Sequence, residues 1–177
     1  MNIADALLAL ASKEDAEQLA VYIGDDPTRF NALMDIFFGE SYRLNQRAAW
    51  VMTHCTKNNQ ALITPYIERL VHNLKNDVHD AVKRNTVRLL QDYDVPDELL
   101  GELADVCFGF LASNKEPIAV KVFSMSVLAN IVEKHPELKG ELQVLIEDQL
   151  PYGSAGFKNR GKKVLEKLRK IEFINND

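Results

Sequence analysis

The sequence contains few of the residues that break or cross-link a chain. Eight glycines and six prolines occur among 177 residues, too few for a linker-rich or disordered protein. Cys55 and Cys107 are the only cysteines, and they lie far apart in apolar stretches. We therefore expect buried, reduced thiols, which are typical of a cytoplasmic protein.

Leader-like and membrane-spanning segments are also missing. Asp5 is an acid where a signal peptide carries a base, and no apolar run approaches the length that spans a bilayer. These features predict a cytoplasmic location without a membrane partner. The net charge of −5 and the pI near 5.4 count against a dedicated nucleic-acid binder, because such proteins are usually basic.

The charges are unevenly distributed along the chain. Residues 94–150 contain 11 acidic and 4 basic side chains, whereas residues 157–170 contain 7 basic and 1 acidic. The acidic middle and the basic end can bind different partners, or each can contact the helices next to the other in the stack.

Basic residues and prolines recur along the chain at similar intervals. Basic residues stand 37, 37 and 39 residues apart, at Arg47, Arg84, Lys121 and Arg160. Prolines precede them by 20, 19, 25 and 24 residues, at Pro27, Pro65, Pro96 and Pro136. Self-similarity at such a period indicates stacked helix–turn–helix units. We predict one domain over 1–177, with a capping hairpin at 1–24, helix pairs at 27–57, 65–93, 96–134 and 136–170, and a tail at 171–177.

Local signals support helices throughout this domain. Ser12 followed by Asp15 predicts a capping box, Asp26 before Pro27 predicts an N-cap, and Ser154 predicts the cap of the last helix. No stretch alternates apolar and polar residues over enough positions to predict a strand. Residues 118–132 are apolar almost all round, which predicts a helix with neighbours on both sides.

An apolar residue followed by a base opens the second helix of a pair, as in Val82-Lys83-Arg84 and Val120-Lys121. Over residues 27–170 this pattern resembles HEAT repeats of the armadillo-like superfamily. The resemblance implies an all-α fold, a right-handed α-α superhelix of about four to five helical hairpins. HEAT units often carry an acid in the turn before the basic residue.

The turn acids fit that HEAT pattern only in part. Glu40 and Asp77 stand at the expected offset, whereas Asn114 and Gly153 replace the acid in the later units.

The resemblance also places the second helices on the inner, concave surface. Arg43, Arg47 and Trp50 share one predicted helix face, and Trp and Arg are favoured where proteins bind. In the alternative, Trp50 belongs to the core and the arginines pair with turn acids. The candidate binding residues are Arg43, Arg47, Trp50, Arg84, Arg88, Lys121, Arg160 and Lys163.

The sequence predicts no catalytic residue, no metal site and no cofactor. Residues 156–162 match G-x-x-x-x-G-K, but Lys163 stands where a P-loop needs Ser or Thr, and no buried strand precedes it. The four histidines lack the spacing of metal ligands.

The first functional hypothesis is therefore a non-catalytic helical scaffold that binds a protein or peptide, possibly acidic, in its concave groove. The alternative is a nucleic-acid-binding protein related to the HEAT-like alkylpurine DNA glycosylases, which use concave-face Trp, Asp and Arg residues. Trp50 and several arginines fit that alternative. The chain is shorter than those enzymes, however, and no Asp can be matched to their catalytic one.

Overall fold

The computed structural model describes residues 1–171, apart from the side chain of Asn58. Within this part of the chain there are ten α-helices and three short 3-10 turns, and no strand. The predicted all-α fold is confirmed. The predicted tail at 171–177 lies, from residue 172 onward, outside the described residues.

The helices have the following bounds: α1 Ile3–Ala9, α2 Lys13–Ile23, α3 Pro27–Phe37, α4 Tyr42–Asn58, α5 Ile67–Asn73, α6 Asp80–Leu90, α7 Asp97–Ala112, α8 Ile118–Lys134, α9 Lys139–Gln149 and α10 Ala155–Arg169. The 3-10 turns are Gln60–Leu62, Thr64–Tyr66 and Pro136–Leu138.

Polar caps start several helices where the sequence predicted them. Ser12 Oγ accepts from the Asp15 N–H at 3.1 Å, and Asp15 Oδ2 accepts from the Ser12 N–H at 2.9 Å. This reciprocal pair satisfies N–H groups that have no partner inside the helix. Asp26 caps α3, whose first residue is Pro27, and Ser154 caps α10.

Two predicted helices start later than expected. We expected helices from Pro65 and Pro136, but both prolines lie in 3-10 turns that precede α5 and α9. The turn that contains Pro136 closes with the Leu138 N–H on the His135 carbonyl, 3.1 Å away. Such i→i+3 bonds are frequent at helix N-termini. Proline lacks a backbone N–H, but an N–H in the first turn would have no helical partner in any case.

The chain forms two compact units. Unit 1 contains Met1–Leu70 and Asp77–Asn85, and unit 2 contains Val71–Asn76 and the chain from Thr86 onward. The boundary passes through α5 and α6. The single repeat domain over 1–177 stays a prediction.

The core of unit 1 lies around α4, which packs against α1, α2 and α3. One side of α4 buries Val51 and Met52, while Phe30 and Phe37 of α3 are also fully buried. Each such side chain stabilises the fold by roughly 1.5–3 kcal/mol. The opposite side of α4 is thereby fixed toward solvent.

The core of unit 2 lies around α8, which packs against both α7 and α10. Met125 and Leu128 at its centre have no exposed surface. The prediction of neighbours on both sides of this helix is confirmed. None of the described helices is long and apolar enough to cross a membrane.

Candidate functional site

Arg47 on α4 holds the end of α1. Its Nη1 donates to the carbonyl oxygens of Leu7 at 2.7 Å and Leu8 at 2.6 Å. These carbonyls belong to the last turn of α1, where a cation is favoured by the helix dipole. The Leu7 carbonyl also accepts from the Leu10 N–H at 3.3 Å. The partners of Arg47 are therefore carbonyl oxygens and not the turn acid considered from the sequence. No described acid forms an ion pair with this guanidinium.

Trp50 lies on the solvent-exposed side of α4, with 39% of its surface exposed. The alternative that placed Trp50 in the core is wrong. Its ring centroid lies 6.4 Å from that of His54, whose Nδ1 is 3.9 Å from Glu17 Oε1. Arg43, seven residues before Trp50, is exposed and makes no hydrogen bond or ion pair within residues 1–171. Seven residues are about two helical turns, so Arg43 and Trp50 share one side of α4. We call these two residues the Trp50 surface.

Arg84 is half-buried on α6 in unit 1, and no described residue pairs with it. Just before the same helix, the His79 ring packs against the Tyr42 ring, with centroids 3.8 Å apart and planes tilted by 41°. His79 Nδ1 accepts from the Ala81 N–H at 3.1 Å, which caps α6. The imidazole therefore caps α6 and packs against an aromatic ring within this unit.

Lys121 is a structural residue of unit 2. It is only 7% exposed, and its Nζ donates to Gln149 Oε1 at 2.6 Å. Gln149 Nε2 in turn donates to the carbonyls of Leu111 and Leu145, both at 3.0 Å. Burial lowers the pKa of Lys121 below its ordinary value. This network joins α8 to α9 and the end of α7.

The other predicted cations of unit 2 differ in their surroundings. Arg160 Nη1 donates to Ser126 Oγ at 2.6 Å, which connects α10 to α8. The Arg88 guanidinium lies 6.0 Å from the centroid of the Phe123 ring. Lys163 is exposed and, within the described part of the chain, unpaired.

A family model for the HEAT repeat domain matches residues 3–168, nearly the whole described chain. The chain belongs to the HEAT-repeat family. No curated protein and no solved structure matches it.

In this HEAT-repeat protein the four regularly spaced cations lie in equivalent helices but make different contacts. Arg47, Arg84, Lys121 and Arg160 lie in α4, α6, α8 and α10, as the spacing predicted. Arg47 reaches back to α1, Lys121 forward to α9 and Arg160 back to α8. The periodic spacing therefore places a cation in each second helix, while its partner depends on the local packing.

A different set of residues connects successive repeats in unit 2. Asn130 on α8 donates through Nδ2 to the Gln91 carbonyl at 2.8 Å and accepts from Lys167 Nζ at 2.9 Å. These residues are 39 and 37 residues apart, the period of the repeat. The sequence analysis missed them, although a search for polar residues at the repeat spacing could have found Asn130 and Lys167.

The G-x-x-x-x-G-K stretch lies within helix α10 and not in a phosphate-binding loop. A Cβ on Gly161 would meet Ile146 Cγ2 at 3.0 Å and Leu150 Cδ2 at 3.2 Å, so the glycine permits close packing of α10 on α9. Helix packing therefore accounts for Gly161, the second glycine of the motif, and nucleotide binding is not needed to explain it.

The described residues contain no group of three or more His, Cys, Asp or Glu side chains that could hold a metal ion. Cys55 and Cys107 are buried and free, as expected, and burial raises the pKa of both thiols to about 12. Because the thiolate is the reactive form, neither is activated as a nucleophile at neutral pH.

Proposed function

We propose that this HEAT-repeat protein is a non-catalytic scaffold that binds a protein or peptide through the Trp50 surface. The observation that carries the proposal is the exposure of Trp50, 39%, on a helix whose other side forms the core of unit 1. Core packing does not require an indole in this position. Large aromatic side chains at such rigid, exposed positions contribute much of the binding energy at protein interfaces.

The neighbouring charges favour an acidic partner. Arg43 has its whole guanidinium available, because no described residue pairs with it. Arg47, one turn away, donates to neutral carbonyls, and no described acid neutralises it. A partner that presents carboxylates around an apolar centre would match two cations around an indole.

A capture experiment tests this proposal. Immobilised wild-type protein is compared with the double variant Trp50→Ala/Arg43→Ala, using cell lysate and quantitative mass spectrometry. The matched control is Tyr152→Ala/Lys115→Ala, which removes an aromatic ring that is 90% exposed and an exposed cation from another part of the chain. We expect the first double variant to lose partners that the control keeps.

The nucleic-acid alternative is tested in parallel with double-stranded DNA. Binding that falls steeply with added salt, and that is lost in Trp50→Ala/Arg43→Ala, would favour that class over protein partners. Equal recovery of all lysate proteins by wild type, Trp50→Ala/Arg43→Ala and the control variant would contradict the proposed role of the Trp50 surface.

A further inference from the structure

The outer side of α10 carries a concentration of cations that no described acid neutralises. Five basic residues on this helix and at its end are exposed, and their side chains make no hydrogen bond or ion pair with other described residues: Lys158, Lys162, Lys163, Arg169 and Lys170. Glu166 is the one acid between residues 157 and 170. We call these five cations the α10 basic face.

Other cations of unit 2, by contrast, form ion pairs with described acids. Lys134 Nζ lies 3.0 Å from both Asp94 Oδ1 and Asp97 Oδ1, and Lys75 Nζ lies 3.3 Å from Glu102 Oε1. In a chain with a net charge of −5, acids are available to pair with lysines and arginines. Within residues 1–171 the cations of the α10 basic face have no ion-pair partner despite that excess, which makes their charge available to an external anion.

Helix geometry arranges these cations in two rows. With about 100° of rotation per residue, Lys158, Lys162 and Arg169 fall within roughly 40° of one another and span about 16 Å along the axis. Lys163 and Lys170 form a second row, roughly 100° from the first. Within each row one pair is seven residues apart, about 10.5 Å.

The fold fixes which side of α10 is available. Phe157, Val164 and Leu168 are buried on a side that lies roughly 120° from the first row of cations and roughly 130° from the second. Gly161 packs closely against Ile146 of α9. The helix therefore has little freedom to rotate, and both rows of cations face solvent as a rigid pattern.

We propose that the α10 basic face binds a short acidic helical segment of a partner protein, with carboxylates at seven-residue spacing. Charge complementarity and the spacing of about 10.5 Å within each row support this occupant, because carboxylates seven residues apart on a helix repeat at the same distance. The α10 basic face belongs to unit 2 and the Trp50 surface to unit 1, and this inference does not depend on the role proposed for the Trp50 surface.

Two features favour a short acidic segment over a nucleic acid. Residues 94–150 of the same unit carry 11 acidic and 4 basic side chains, so a long polyanion that extended beyond α10 would be repelled. The one aromatic residue of α10, Phe157, is 1% exposed, so the helix offers no ring on which unpaired bases could stack.

The test uses two fluorescently labelled synthetic peptides of about 16 residues, the length that covers both rows. In the first, glutamates are placed at the seven-residue spacing on one helix side. In the second, the same amino acids are arranged with the glutamates clustered at one end. Fluorescence anisotropy measures binding to the full chain. We expect the first peptide to bind more tightly and to weaken as salt is added.

Variants of the full chain assign the binding to α10. Lys162→Ala/Arg169→Ala should weaken binding of the first peptide about tenfold, since two ion pairs are lost. Lys115→Ala, which removes an exposed cation elsewhere in unit 2, should leave binding unchanged. Trp50→Ala/Arg43→Ala should also leave it unchanged, so a failure of the proposed function would be distinguishable from a failure of this inference. Circular dichroism confirms that each variant is folded.

Four results would overturn the inference. The first is absence of peptide binding at low salt, and the second is equal affinity for the two peptides. The third is tighter binding of a double-stranded or single-stranded oligonucleotide than of the first peptide under the same conditions. The fourth is self-association of the wild-type chain that Lys162→Ala/Arg169→Ala abolishes, because the occupant would then be a second copy of this chain.

Discussion

Lys167 on α10 donates through Nζ to Asn130 Oδ1 on α8, across a distance of 2.9 Å and 37 residues of chain. Asn130 also donates to the Gln91 carbonyl at the end of α6. One amide side chain thus joins α8 to α10 and to Gln91, the residue that follows α6. Its neighbour Glu133 pairs with the same Lys167 Nζ at 3.1 Å. The stability of a stacked array is approximately the sum of the stabilities of its repeats and of the contacts between neighbouring repeats.

The substitution Asn130→Ala should therefore lower the free energy of unfolding by about 1 kcal/mol, because both hydrogen bonds are lost at an exposed position. Urea unfolding followed by circular dichroism measures the change. Asn114→Ala is the matched control, since Asn114 is exposed and its side-chain amide makes no hydrogen bond with other described residues. An equal effect of the two substitutions would show that the Asn130 bonds contribute nothing.

Arg47→Ala should destabilise α1 specifically. The loss of two charge-assisted bonds to the Leu7 and Leu8 carbonyls should cost about 1–2 kcal/mol. Hydrogen exchange should show reduced protection of amides in α1. Arg43→Ala, on the same helix but unpaired, should change stability by less than about 0.5 kcal/mol. Unchanged protection of α1 in Arg47→Ala would exclude the capping role.

Met125→Asp should strongly destabilise unit 2, because Met125 has no exposed surface and a carboxylate there would be buried without a partner. We expect a loss of about 3–5 kcal/mol, visible as a lower melting temperature. Val144→Asp provides the control, since Val144 is 56% exposed on α9. A melting temperature that is the same in Met125→Asp and wild type would contradict the packing of α8.

Lys121 should give unit 2 a specific dependence on alkaline pH. Its pKa in the folded chain is lowered by burial from 10.5, so the unfolded chain holds this proton to a higher pH than the folded chain does. The unfolded state then binds more protons just below pH 10.5, and stability from this group rises with pH.

The comparison variant is Lys121→Met, which keeps the length of the side chain and removes the titrating group. From neutral pH to about pH 10, the stability of wild type relative to Lys121→Met should shift in favour of wild type. A shift in the opposite direction would show that the native environment of Lys121 favours the charged ammonium.

The sequence predicted the helices well where the signal is local. Ser12, Asp26 and Ser154 cap helices as expected, because an N-cap needs only a side-chain oxygen and the next two or three N–H groups. The starts at Pro65 and Pro136 were less well predicted, since a proline at the first turn fits an α-helix and a 3-10 turn equally.

The roles of individual side chains were harder to predict. The spacing of Arg47 and Lys121 placed each in its second helix, but their partners lie 40 and 28 residues away in the chain. Trp50 was assigned to a shared helix face with Arg43, yet its exposure depended on which side of α4 meets the other helices. Such contacts follow from tertiary packing, and the period of the sequence does not encode them.

Trp50 is the only tryptophan in the chain, so its fluorescence reports directly on the proposed binding surface. The decisive measurement is the emission spectrum and acrylamide quenching of Trp50 as a captured, tryptophan-free partner or partner peptide is titrated to saturation. We expect a shift to shorter wavelength and a marked loss of quenching, with the same response in Tyr152→Ala/Lys115→Ala. Unchanged emission and quenching of Trp50 with a saturating partner would contradict binding at the Trp50 surface.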